Sequence, residues 1–209
     1  MDSTASLKDI VYASVLDSII TDEYKPGRIL NEKELVAKFG FSKSPVREAL
    51  VSLCNEEILK NIPRCGYEVI KLTRQDIEEI LQFRLVLESG SLAFSIDKIT
   101  SEQIDTLLAL NALCCDSSAG TDMWSHWEHN KDFHLQLISY ANNSYAYHAL
   151  ARSMDILKRA YAQFYWNRWN NFVVASDMKS HLPLINALRE HHLAAAKSCI
   201  AADLQDFGY

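Results

Sequence analysis

Two sets of residues in this 209-residue chain have types and spacings suited to chemistry. The first lies between Ser42 and Arg47. Val46, Ala49, Leu50 and Leu53 recur at helical period and claim one face of a helix, which leaves Lys43 and Arg47 together on the other. Ser42 and Ser44 fall at the positive N-terminal end of that helix, where hydroxyls and free amides suit phosphate oxygens. Arg47 has the planar fork that matches O6 and N7 of guanine. Lys33, on a preceding helical segment, can reach a phosphate or a base edge. Arg64 and Gly66 stand at a turn whose small residue permits close approach to a minor groove. The second set is Asn130 and His134, four apart on one helical face, with His181 and Asp203 on later segments. Two imidazoles with an amide and a carboxylate oxygen on facing helices suit a divalent transition metal.

Each set also has a plainer explanation. Lysines and arginines often do no more than solvate a helix face, and polar groups inside a bundle often satisfy only one another. The chain has seven histidines, and His126, His129, His191 and His192 offer other ligand combinations. What favours recognition chemistry for the first set is order: a helix, a tight turn, a basic helix, then an Arg-x-Gly hairpin tip, the succession of a winged helix-turn-helix.

Hydrophobic pattern and capping signals predict the helices and strands that carry these residues. Leu7, Ile10, Val11, Val15 and Ile19 predict a helix over about 6–22, and Lys25-Pro26-Gly27 a turn. Asn31 with Glu34 has the form of a capping box that starts a second helix, and Gly40 suits its end. The third helix starts at Ser42 or Ser44, since Pro45 is tolerated only in a first turn. Leu59–Ile62 and Tyr67–Leu72 read as two strands of a wing. Beyond Leu72 the pattern is helical: a long helix from Thr73 carrying Ile77, Ile80, Leu81, Leu85, Leu87 and Leu92, then segments near 101–116, 122–142, 144–169, 176–190 and 192–205. Breaks fall at Ala119-Gly120, Asn142-Asn143 and Asn170-Asn171. The expected fold is mostly α: a winged helix-turn-helix of three helices and a two-stranded wing over residues 1–72, then an all-α antiparallel six-helix bundle over 73–209.

An apolar content of 48% supports a true core, and a net charge of -6 argues against a protein that coats nucleic acid indiscriminately. The charge is uneven. Lys25, Arg28, Lys33, Lys38, Lys43 and Arg47 face only Glu32 and Glu34 in the same stretch, while the chain after Leu72 is acidic. Five cysteines without a C-x-x-C pair predict reduced, mostly buried thiols in a cytoplasmic protein, and no apolar run reaches the ~20 residues of a membrane span.

The run Pro26-Gly27, Leu30, Glu32, Leu35, Gly40-Phe41-Ser42-Lys43-Ser44-Pro45-Val46-Arg47-Glu48-Ala49-Leu50 and Pro63-Arg64-x-Gly66 resembles the GntR family of bacterial transcription regulators. The resemblance implies DNA contacts from Lys33, Lys43, Arg47, Arg64 and Gly66. Many relatives have arginine where Lys33 and Lys43 stand; lysine lacks the bidentate fork, so base readout rests more on Arg47. Arg84-x-x-x-Glu88, Asn130-x-x-Phe133-His134 and Ser180-His181 resemble motifs of the FadR subgroup's ligand-sensing domain, called FCD. That likeness implies a metal site, for zinc or nickel, at Asn130, His134, His181 and Asp203, the last where relatives have a third histidine. It also points Arg84 into the bundle, where a guanidinium suits a small carboxylate effector; the plainer role for Arg84 is a salt bridge to Glu88. Tyr161, Phe164, Tyr165, Trp166 and Trp169 line such a pocket or serve as core or interface. The implied function is a homodimeric repressor on a near-palindromic DNA operator, responsive to a carboxylate metabolite and not an enzyme. The alternatives are a metal-independent regulator whose helical domain only dimerises, and a metal-dependent enzyme with Glu128 or Asp132 as base.

Overall fold

The computed structural model describes residues 5–115, 123–169 and 180–205, with side chains described for 5–114, 125–164 and 180–205. The expected breaks at Ala119-Gly120 and Asn170-Asn171, a helix start near 176, the side chain of Cys115 and the rings of Tyr165, Trp166 and Trp169 lie outside that description. The chain forms two compact units: Met1–Arg74 with Arg159–Asn167, and Gln75–Lys158 with Arg168–Tyr209.

The first unit begins with α1 (Leu7–Ile20), opened by a capping box between Ser6 and Asp9. A two-residue strand β1 (Ile29–Leu30) leads to α2 (Glu32–Phe39) and α3 (Lys43–Asn55), then β2 (Leu59–Ile62) and β3 (Gly66–Val69). Asn31 caps α2 by accepting a hydrogen bond from the Lys33 amide at 2.9 Å. Glu34 does not complete the expected capping box; it pairs instead with Arg28 at 2.8 Å. Gly40 closes α2 at a φ of 68°, a left-handed conformation that glycine takes without penalty. Pro45 sits in the first turn of α3, where its missing amide is not needed. Val11, Val15, Leu35, Val46, Leu50 and Leu59 are fully or almost fully buried and bind the three helices to the sheet.

The wing has three antiparallel strands rather than two, in the order β1-β3-β2, with Leu30 opposite Tyr67 and Asn61 opposite Tyr67 on the other side. Two residues give no alternation to read, which is why β1 leaves no mark on the sequence. β3 ends at Val69 rather than Leu72, because the Gln163 side-chain amide takes both backbone groups of Leu72, at 2.9 and 2.6 Å.

The second unit contains α4 (Arg74–Ser95, whose first residue belongs to the first unit), a short 3-10 turn (Ile96–Lys98), α5 (Ser101–Cys115), α6 (Met123–Ser139), α7 (Ser144–Trp169, shared with the first unit), α8 (His181–Arg189) and α9 (Leu193–Gln205). Asn142 turns the chain between α6 and α7 with a φ of 53°, and Asn143 caps α7 by accepting from the Ala146 amide. Leu92, Leu107, Phe133, Leu137, Leu184 and Ile200 form the main core. α4 departs from its expected apolar stripe. Leu85 is exposed, while Arg84, Glu88, Ser91 and Ser95 are buried beside Ile77 and Leu92. Their spacing of three and four residues makes one inward polar row. Among the described residues no helix is long and apolar enough to cross a membrane. Cys114 is buried, Cys54 and Cys199 are half-buried, and Cys65 is exposed.

Candidate DNA interface and buried ligand site

α2, α3 and the wing enclose an open groove of about 750 Å³, lined in part by Lys33, Lys43, Arg47, Arg64 and Gly66. Lys33, Ser42, Lys43, Ser44, Arg47 and Arg64 are all exposed. The groove thus gathers five of the seven residues expected to meet DNA, while Ser42 and Ser44 stand on the same helix end. The Ser44 hydroxyl donates to Glu48 at 2.8 Å. Pro63 and Arg64 make the wing turn, closed by the Cys65 amide on the Ile62 carbonyl at 3.0 Å, and Arg64 takes a φ of 67°. Gly66 has a φ of 136°, and a Cβ there would stand 2.4 Å from the Leu30 carbonyl oxygen. The sheet itself therefore demands a glycine, apart from any approach to a groove.

No spacing or periodicity marks the residue that organises this face. Glu32, at the first position of α2, accepts from Arg47 Nε at 2.8 Å and Nη2 at 2.9 Å, and from the Tyr67 hydroxyl at 3.1 Å. Lys43 Nζ is 3.5 Å away. The Arg47 fork, helped by Tyr67, holds the Glu32 carboxyl at about 2 despite partial burial.

The second site lies inside the helical unit. His134 and Asn130 come from α6, His181 from the start of α8 and Asp203 from α9, and all four are buried. One ligating atom from each of His134, His181 and Asp203 lies within 4.8 Å of the others, the one such group of three or more acidic, histidine or cysteine side chains among the described residues. His134 Nε2 is 3.2 Å from Asp203 Oδ2, and His181 Nε2 is 3.5 Å from Asp203 Oδ1. Neither contact has hydrogen-bond geometry. Asn130 Oδ1, His134 Nε2, both His181 nitrogens and Asp203 Oδ2 are buried without a hydrogen-bond partner. Buried polar atoms are rarely left so, and five on the four residues expected as ligands fit a cation held among them. Phe133 stacks on the His181 ring at 3.8 Å and fixes its plane.

Of the histidines that offered other combinations, three are engaged elsewhere: His126 Nδ1 with the Cys114 carbonyl, His191 Nδ1 with the Ile96 carbonyl, and His192 Nδ1 as acceptor from the Ala195 amide; His129 is not part of the three-residue group. Glu128 is paired with Lys158, so it is not poised as a base.

Glu88 is the residue that sequence reasoning undervalued. Its carboxylate accepts from Arg84 Nε at 2.8 Å and from His134 Nδ1 at 2.7 Å, all three side chains being inaccessible to solvent. Burial opposes the charge on Glu88, yet Arg84 and His134 outweigh it and hold the carboxyl below its ordinary range. Burial likewise opposes a charged His134, but Glu88 and Asp203 lift it to about 9. Burial, with the neighbouring His134, pushes His181 down to about 3, so its imidazole is neutral and able to act as a ligand. With Nδ1 committed to Glu88, His134 turns Nε2 toward Asp203. A carboxylate behind a histidine in this way fixes the tautomer that leaves the other nitrogen free for a metal. Arg84 is fully buried and reaches this network through Glu88.

Residues 7–69 match the family described as bacterial regulatory proteins, gntR family, and residues 79–206 match the FCD domain. The uncharacterized HTH-type transcriptional regulator YdhC of Bacillus subtilis (strain 168) is 29% identical over 148 residues, which are 70% of this chain and 66% of that protein. The gluconate operon transcriptional repressor of Bacillus licheniformis is 39% identical over 90 residues, 43% of this chain and 35% of its own length. The matches thus span from about a third to just under two thirds of these relatives. The solved structure of E. coli McbR/YncC superposes with a TM-score of 0.72 at 22% identity, covering 97% of this chain and 95% of that one, which shows a common fold.

Proposed function

The chain belongs to the gntR family and carries an FCD domain, which makes it a DNA-binding transcription regulator and not an enzyme; on that premise we propose that it is a homodimeric repressor released from its operator by a small carboxylate metabolite. One winged unit contacts one half-site, so a two-fold pair would read a near-palindromic duplex. Exposed Phe83, Val86 and Phe94 favour pairing: they lie along one side of α4 with Gly90, beside which a side chain would meet open space. The names of two relatives, the gluconate operon repressor and the E. coli (strain K12) repressor GlaR, support repression.

The single observation that carries the sensing role is the set of unpartnered buried donor atoms on Asn130, His134, His181 and Asp203. These residues would hold a divalent metal, zinc or nickel fitting two imidazoles and two oxygens. When bound, the metal would supply a positive centre that attracts a carboxylate oxygen. Arg84 would orient the carboxylate from the same network. α4 follows the wing directly in the chain and bears both Arg84 and Glu88, so it is the covalent link through which occupancy would bias DNA binding, by a typical ~1–3 kcal/mol.

The alternation of Arg84, Glu88, protonated His134 and Asp203 also favours a metal-independent helical domain, because the charges there balance in pairs. Metal analysis of the purified chain beside His134→Ala, with gel-shift titration against a panel of hydroxy, sugar and dicarboxylic acids, separates the two. Sensing through the metal predicts near-stoichiometric metal in the wild type, its loss in the variant, and an acid that weakens operator binding only in the wild type. An acid response that survives the loss of metal favours the metal-independent domain. No response to any acid contradicts effector sensing altogether.

A further inference from the structure

The DNA face of this protein carries an acid at its centre. Glu32 draws hydrogen bonds from the recognition helix, through Arg47, and from the wing, through Tyr67, with Lys43 near its second oxygen. An anion costs affinity among phosphates, so its place calls for a physical reason. The hydrogen-bond count supplies one. A guanidinium has five donors in a fixed plane. Glu32 takes Nε and one hydrogen on Nη2, along one edge of the fork. The outer edge, Nη1 with the rest of Nη2, stays open on a side chain that is 54% exposed. That outer edge keeps two parallel N–H groups free for a bidentate pair such as O6 and N7 of guanine. The carboxylate is ionised at every physiological pH, and it stands at the N-terminus of α2, where a helix favours negative charge. The Tyr67 hydroxyl holds it from a buried ring in β3, so the acid is anchored to the wing while it grips the recognition helix.

We propose that Glu32 is the positioning residue for base readout: it holds Arg47 by its inner edge so that the outer edge meets a base, giving up general affinity for DNA in return for discrimination between sequences. This rests on the DNA-binding function described above. The free protein already pins a side chain that otherwise loses its freedom only on the duplex. Such immobilisation typically corresponds to about three- to tenfold in binding.

The test uses the full chain and a duplex that the wild type enriches from a randomised library, compared with a scrambled duplex of equal length and composition. In Glu32→Gln the preference for the enriched duplex over the scrambled one should fall about three- to tenfold, while binding to the scrambled duplex tightens because one negative charge has gone. Tyr67→Phe keeps the ring and removes one bond to Glu32; its preference should fall about twofold, which keeps the test decisive where Glu32→Gln folds poorly. In an Arg47→Ala background Glu32→Gln should leave the preference unaltered, since the effect passes through Arg47. Parallel changes for both duplexes, or undiminished preference in both single variants, overturn the proposal. A wild type that enriches no sequence overturns the DNA-reading function itself, a separate failure.

Discussion

Replacing Glu88 by Gln keeps the shape of the buried cluster and deletes its central charge. Glu88 receives Arg84 Nε at 2.8 Å and His134 Nδ1 at 2.7 Å, with no solvent access to any of the three. The glutamine oxygen can still accept from Arg84, but its NH2 group then faces His134 Nδ1. The imidazole must offer a lone pair there and carry its proton on Nε2, the atom that faces Asp203. Two losses follow from one substitution. A buried guanidinium deprived of its carboxylate costs about 3 kcal/mol, or roughly 6–12 °C in melting temperature for a chain of 209 residues that melts as a whole. A metal held through His134 Nε2 loses about 10- to 100-fold in affinity, the usual effect of breaking the carboxylate behind a ligating histidine. Melting followed by circular dichroism at pH 7, in chelator and in added zinc, reads both. The chelated proteins should differ by the full electrostatic cost, and zinc should widen the gap because it stabilises the wild type more. A Glu88→Gln protein that melts within about a degree of the wild type in chelator would refute the buried ion pair. A gap that zinc leaves unchanged would refute the role of Glu88 behind the ligand.

Gly66→Ala should destabilise the winged unit by about 2–3 kcal/mol, because its Cβ would stand 2.4 Å from the Leu30 carbonyl oxygen at a φ of 136°; urea melts of the wild type and variant check this, and equal midpoints contradict it. Because Glu32 titrates at about 2 in the fold and near 4.5 when unfolded, its contribution is complete above about pH 4.5 and is lost as the pH falls toward 2. After screening at the half-exposed Arg47 this amounts to about 1 kcal/mol, and the corresponding part of the acid-induced loss in urea stability should vanish in Glu32→Gln. Lys33→Ala should reduce the slope of log affinity against log salt by about one for enriched and scrambled duplexes alike, as measured by fluorescence anisotropy; a loss confined to the enriched duplex would assign Lys33 to base readout instead.

Local chemistry made much of the fold legible. Asn31, Gly40 and Pro45 act through a cap, a left-handed stop and a first-turn position, so the ends of α2 and α3 can be read without tertiary contacts. The break at Asn142-Asn143 is legible for the same reason. What escaped was set by distance in space. Glu32 and Arg47 lie fifteen residues apart on different helices, and no periodicity joins them. β1 is two residues long and owes its existence to β3. On α4 the apolar residues Ile77 and Leu92 turn inward as their pattern suggested, but Leu85 is exposed and the inward face also carries Arg84 and Glu88, buried with His134, from a helix some forty residues on, completing their ion pairs. Asn130, His134, His181 and Asp203 stood out by chemical type and by family likeness. That three of them converge is a property of the packing of α6, α8 and α9.

DNA recognition by this protein requires that the exposed edge bearing Lys43 and Arg47 enter a duplex. Hydroxyl-radical footprinting of the full chain on its enriched duplex tests it directly. Two protected patches about one helical turn apart, related by two-fold symmetry and lost in Lys43→Ala/Arg47→Ala, are the predicted result. Unpatterned protection along the duplex, or patches that persist in the double variant, would contradict it.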